Sequence, residues 1–225
     1  MSFKNIFITG TNTGVGKTVI TGLLAKALLK RKKNIITQKW IQTGNTIPED
    51  IYTHLEIMNL TPNDISDYAT EMCPYIYTLP ASPHLAAINE NKPIQKHRIL
   101  LAYHALSNIF DHVLVEGAGG FLVPYSESGT IGDIVEELKL DIILVVNNTL
   151  GCINHTLLSV NEIRSRGLNI LGLIFNQSEN EPQSPILEDN PLIVSEMTEL
   201  PILANLTYKQ DYKKINLSSV FDKLL

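Results

Sequence analysis

Six short apolar runs, at residues 6–9, 35–38, 113–115, 142–146, 171–175 and 202–205, alternate with segments whose apolar residues recur at helical spacing. Runs of this length suit strands covered on both faces. Their alternation with helices predicts an α/β fold: a mostly parallel sheet with helices on both faces. After the first run, Val19, Ile20, Leu23, Leu24, Ala27 and Leu28 form one apolar helical stripe. Ser82-Pro83 reads as an N-cap followed by proline at the first helical position, and residues 94–109 read as a further helix. Residues 59–83 and 177–191, rich in proline and asparagine, read as long loops. The expectation is a single domain over residues 1–225, whose apolar fraction of 44% is enough for a sizeable core.

In such a layout the polar residues just past each run matter most, because ligands in open α/β sheets gather beyond the C-terminal ends of the strands. The first run leads into GTNTGVGKT (10–18). It ends in the Gly-Lys-Thr of a phosphate-binding loop, yet the usual spacing would put glycine at position 11, where threonine stands. Gly14 and Gly16 let successive N–H groups turn toward phosphate oxygens, and the helix starting here adds its positive end. Lys17 is placed to reach the outer phosphates and the Thr18 hydroxyl to ligate magnesium. The bland alternative is an ordinary glycine turn. The order strand, loop, amphipathic helix favours a variant nucleotide loop of P-loop NTPase type.

The third run ends in Glu116-Gly117-Ala118-Gly119-Gly120. Its carboxylate is suited to hold magnesium directly or through water, and its glycines admit a phosphate or substrate close to the backbone. The second run leads to Lys39. Beside the phosphate loop, Lys39 could stabilise charge on a transferred phosphoryl group, although a lone lysine at a strand end is commonly just solvated. Asp50, near a helix start, is commonly a dipole partner. His84 and His155 have no second histidine at ligand spacing, so structural roles are expected. LGCINH (150–155) opens a helical segment whose N-terminal amides could bind a carboxylate; a helix start capped by its own residues is the commoner case.

A net charge of −5 supplies no broad basic field for nucleic acid or anionic lipid, and the basic run 30–33 reads as the cationic end of a helix. The apolar runs are too short to span a bilayer. Cys73 and Cys152 lack CxxC partners, and the N-terminal residues lack a long apolar core. The expectation is a cytoplasmic protein without disulfide or zinc, with neither nucleic acid nor membrane as a partner.

Taken together, GTNTGVGKT, QKWIQTG (38–44), PASPH (80–84), VEGAGGFLVP (115–124), LGCINH and Asn176 resemble the dethiobiotin synthetase family of the P-loop superfamily. That family carries threonine where the first loop glycine would stand. The resemblance implies closure of a cyclic urea on 7,8-diaminononanoate with CO2, using ATP and Mg2+, through a carbamate and its mixed anhydride with phosphate. It implies a nucleotide site at Gly14, Val15, Gly16, Lys17, Thr18, Val19, Gly117, Ala118 and Gly119, with Asn176 at the adenine edge. Thr18, Asp50 and Glu116 would form the magnesium site, with Lys17 and Lys39 flanking the carbamate and γ-phosphate. Thr13 and Thr43 would lie at the substrate. Gly151, Cys152, Ile153 and Asn154 would anchor its carboxylate, serving the partner's site in a two-fold homodimer.

Three positions depart from the family pattern. Gly14 stands where some members carry glutamate, and Trp40 replaces a proline, which bears on how Lys39 is aimed. LANLTYK (203–209) lacks a proline-containing segment that often lines the adenine pocket. Two rival classes share the loop. A cobyrinate-type amidation domain would normally bring a fused glutaminase domain, for which 225 residues leave no room. A ParA/MinD-like ATPase switch would place a second lysine early in the loop, where Asn12 stands.

Overall fold

The computed structural model describes residues 5–178, 180, 184–208, 211, 212 and 214–224. The first half runs β1 (Ile6–Gly10), α1 (Lys17–Lys30), β2 (Ile35–Lys39), β3 (Ile41–Thr43), α2 (Glu49–Met58), α3 (Ala69–Met72), β4 (Tyr75–Tyr77), α4 (Pro83–Asn89) and α5 (Lys96–Ser107). The second half runs β5 (His112–Gly120), α6 (Ile131–Leu138), β6 (Asp141–Asn147), α7 (Cys152–Ser165), β7 (Ile170–Asn176), α8 (Pro185–Thr198), β8 (Ile202–Leu206) and α9 (Ser218–Leu224). A six-stranded sheet has the order β2-β5-β1-β6-β7-β8 with every pairing parallel, and β3 pairs with β4 in a small parallel sheet of its own.

Alternation along the strands splits the core in two. Ile6, Ile8, Leu114, Ile143, Val145 and Ile174 pack with Leu23 and Leu24 of α1 and Phe221 of α9. Phe7, Val113, Val115, Ile142, Leu144 and Phe175 face the other way, against Ile99, Ile134, Ile163 and Val194 of α5 to α8. Burial on both faces explains why these strands read as apolar runs. β1 lies between β5 and β6; the connection after β1 runs one way to β2 and the one after β5 runs the other way to β6, which opens a crevice beyond the C-terminal end of β1.

All six apolar runs are strands of the main sheet, and the third extends through Gly120. Three expectations are corrected. Residues 59–83 are not one loop: they hold a 3-10 turn (Pro62–Tyr68), α3 and β4. The helix expected over 94–109 is the shorter α5. Ser82 does stand at the N-cap of α4 with Pro83 at its first position, as expected, although its hydroxyl makes no capping bond and meets Nδ1 of His84 at 3.0 Å.

The stretch 177–191 likewise contains the start of α8, which continues through Pro191. Proline at position 191 removes the N–H that would bond to the carbonyl four residues earlier, Leu187. That carbonyl instead accepts from Nδ2 of Asn148 at 2.9 Å, and Asn190 donates to Oδ1 of the same Asn148. A buried side chain thus replaces the missing backbone donor, so the helix tolerates its proline. Residues 1–4, 179 and 181–183, and Lys209 of the 203–209 segment, lie outside the described residues. Among the described residues, no helix is long and apolar enough to cross a membrane.

Candidate active site

The loop between β1 and α1 closes over the crevice. Gly16 is the N-cap of α1 at φ 94°, a left-handed conformation open mainly to glycine, and it aims the first-turn amides outward. Lys17 is buried, and its ammonium donates to the carbonyl of Asn12 at 2.9 Å, bracing the loop from within. Burial, then the neighbouring charge of Lys39, lower its pKa to about 8, with Glu116 and Asp50 opposing. An anion bound in the loop would favour the charged form.

Glu116 is the centre of the site. It sits in β5, only 1% exposed, level with Ile8 of β1 on one side and Lys39 of β2 on the other. Its Oε1 accepts from Thr18 Oγ1 at 3.0 Å and from Lys39 Nζ at 2.7 Å. Lys39 also reaches Oδ2 of Asp50 at 2.7 Å and donates to the carbonyl of Gly117 at 3.1 Å. Burial alone would raise the pKa of Glu116. The charge of Lys39, with the hydrogen bond and charge of His54, overcomes that and lowers it to about 2. For Lys39, burial opposes the ammonium, and Glu116 and Asp50 override it to hold its pKa above the ordinary value. Glu116 is therefore an ionised acceptor.

Trp40 does not misdirect Lys39. On β2, side chains alternate, so Gln38 faces away from Lys39, and Trp40, just past the strand, joins Gln38 on that side. The indole stacks on Phe7 at 5.2 Å between ring centroids and donates to Oε1 of Gln38 at 2.9 Å, while Lys39 points into the carboxylate cluster.

These groups open into a cleft of about 670 Å³ lined by Thr13, Gly14, Gly16, Lys17, Thr18, Lys39, Thr43, Asp50, Glu116, Ala118 and Gly119. Gln42, Val123 and residues 80–83 complete its wall, which is where PASPH falls. A second cleft of about 310 Å³ lies past Gly16, lined by Val19, Asn176, Gln177, Ser178, Leu206, Thr207, Tyr208 and Tyr212, among others. Asn176 donates from Nδ2 to the carbonyl of Val15 at 2.9 Å, tying β7 to the loop. Gly151, Cys152, Ile153 and Asn154 behave differently: they form the start of α7 and are not among the residues lining either cleft. Cys152 is buried, whereas Gly151, Asn154 and the neighbouring Leu150 are exposed.

A family model described as an AAA domain matches residues 4–216. An ATP-dependent dethiobiotin synthetase of Haemophilus influenzae is 43% identical over 77% of this chain and 91% of its own length. Another, from Halalkalibacterium halodurans, is 37% identical over 92% of this chain and 86% of its own. The chain belongs to the dethiobiotin synthetase family. Among solved structures, the septum site-determining protein MinD of Pyrococcus horikoshii, complexed with Mg-ADP, aligns with a TM-score of 0.58 over 99% of this chain and 94% of that one. At 19% identity that likeness speaks to the fold alone.

Beside the dethiobiotin synthetase motifs, the site holds a residue that sequence reading passed over. His54 is fully buried, and its Nε2 lies 2.8 Å from Oε2 of Glu116. The signal was its spacing: His54 stands four residues after Asp50, so both lie on one face of α2. Gly22 of α1 lets α2 approach closely, since a Cβ there would meet Ile57 Cδ1 at 2.9 Å and His54 Cα at 3.3 Å.

Proposed function

We propose that this chain closes the ureido ring of dethiobiotin from 7,8-diaminononanoate and CO2, with ATP and Mg2+. The observation that carries the reading is the convergence of Thr18, Lys39, Asp50 and Glu116 at the mouth of the phosphate loop. Two carboxylate oxygens meet at the Lys39 ammonium, and the Thr18 hydroxyl donates to one of them, an all-oxygen set of the kind magnesium favours when phosphates and water complete its shell. Thr18, Asp50 and Glu116 would hold the ion, which supplies neutralisation of phosphate charge.

The chemistry needs positioning more than covalent help. One amine of the substrate takes up CO2 as a carbamate. A carbamate oxygen attacks the γ-phosphorus and displaces ADP, giving a mixed anhydride. The second amine then attacks the carbamoyl carbon and expels phosphate, closing the ring. Lys17 and the amides of the loop from Gly14 to Val19 hold the phosphates. Lys39 stabilises charge on the carbamate and on the phosphoryl group in transit. Thr13 and Thr43 lie at the diamine, and the backbone from Gly117 to Gly119 approaches the phosphoryl group. With its Nδ2 engaged by Val15, Asn176 offers Oδ1 as an acceptor for the 6-amino group of adenine.

The start of α7, from Gly151 to Asn154, would anchor the substrate carboxylate in the partner's site of a two-fold homodimer. Its separation from both clefts within one chain and the exposure of Leu150 (79%) favour a role across an interface. Two free, buried cysteines suit a reducing cytoplasm.

The test is phosphate release from ATP with 7,8-diaminononanoate and bicarbonate, with mass detection of the product. Phosphate release should require both the diamine and bicarbonate and match formation of the cyclic urea. Hydrolysis independent of the diamine, without cyclised product, would sink the reading.

A further inference from the structure

Glu116 has two oxygens in unequal surroundings. Oε1 faces the phosphate loop and is shared by Thr18 and Lys39. Oε2 faces α2, where Nε2 of His54 lies 2.8 Å away. An ionised carboxylate can only accept, so the imidazole must donate from Nε2. Its Nδ1 is buried and, among the described residues, has no hydrogen-bond partner. The ring is fully buried, and among the described residues its one hydrogen-bond partner is Glu116.

We propose that His54 is a positioning residue for Glu116: its Nε2–H fixes Oε2 and so presents Oε1 to the divalent cation beside the phosphate loop. The inference rests on the magnesium-dependent function proposed above. Ligating carboxylates are commonly held by a further hydrogen bond, and losing such a partner weakens metal binding about 10- to 100-fold. Here the partner has a particular origin. α2 carries Asp50 in its first turn and His54 one turn later. One rigid helix therefore supplies one carboxylate and orients the other, and Gly22 lets that helix come close enough. Without the imidazole donor, Oε2 would compete with Oε1 for Lys39, and the carboxylate plane would turn away from the loop.

The test reads magnesium binding at equilibrium. ADP affinity is measured by titration calorimetry in EDTA and in saturating magnesium, and the ratio of the two reports the metal contribution. His54→Gln keeps a donor where Nε2 stands; His54→Asn is polar but too short to reach Oε2, and His54→Leu removes the donor. The expected result is a ratio reduced about tenfold or more in the Asn and Leu variants, near wild type in Gln, with ADP affinity in EDTA unchanged in all three. An unreduced ratio in the Asn variant overturns the proposal even if the Leu variant does not fold, as does a Gln variant no better than Asn. If magnesium fails to tighten ADP binding in the wild type, the proposed function falls and this proposal with it.

Discussion

Gly14 and Gly16 allow backbone strain and side-chain crowding in the phosphate loop to be separated. Both are left-handed, at φ 76° and φ 94°. A Cβ at Gly14 would meet nothing within 4 Å, whereas one at Gly16 would lie 2.4 Å from Nδ2 of Asn176. Alanine at either position costs about 1–2 kcal/mol in left-handed strain. At Gly16 it must also displace the amide that donates to Val15 at 2.9 Å. Losing that bond adds about 1 kcal/mol. Gly16→Ala should therefore destabilise the protein by about 2–3 kcal/mol and Gly14→Ala by about 1–2 kcal/mol in urea unfolding. The decisive measurement is a double-mutant cycle. In an Asn176→Ala background the extra cost of Gly16→Ala should vanish, giving a coupling of about 1 kcal/mol, while Gly14→Ala costs the same in both backgrounds. A Gly16→Ala penalty independent of residue 176 would refute the crowding argument.

Two further predictions concern ligand binding. With the pKa of Lys17 lowered to about 8 and phosphate favouring its charged form, ADP affinity should hold below that pH. It should then fall about tenfold per unit as pH rises above about 8, until the pKa of the bound state is reached. Lys17→Arg should flatten the profile, and an equal decline in that variant would assign the effect elsewhere. For the shared-site arrangement, Lys17→Ala and Asn154→Asp, each nearly inactive alone, should recover about a quarter of wild-type activity when their subunits exchange, because half of the randomly assorted dimers are mixed and each mixed dimer keeps one intact site. Demonstrated exchange without recovery would put loop and anchor in one chain.

The parts of the fold legible in the sequence are those where local pattern and tertiary burial agree. The six main-sheet strands are buried on both faces, so their residues are apolar almost without interruption. β3 and β4 span three residues each, too few for a periodicity to register, and they lie within or beside segments rich in turn residues. α8 was hidden by Pro185 and Pro191, although the first is simply proline in the first turn. Nothing in residues 185–191 announces that Pro191 is tolerated. The compensating donor is Asn148, some forty residues away at the end of β6, and only folding joins the two.

The same division runs through the candidate site. Lys39 ends β2, Glu116 directly follows the apolar run 113–115 within β5, and Lys17 and Thr18 open α1 past the loop that follows β1, so the apolar runs reveal where these residues lie. The rule that ligands gather at strand ends therefore finds these residues without side-chain coordinates. Asp50 and His54 arrive differently: they sit on α2, which reaches the sheet only because α1 offers Gly22 where a larger side chain would strike Ile57 and His54. A sequence shows Asp50 and His54 as one helical turn apart, but it does not show that the face they share is the one turned toward Glu116. Trp40 makes the converse point. By position it threatened the aim of Lys39, yet alternation sends the indole to the opposite face, where Phe7 and Gln38 receive it. Strand geometry settles the direction of Lys39, and helix packing brings Asp50 to Lys39 and His54 to Glu116. Of the two, only strand geometry is written in local sequence.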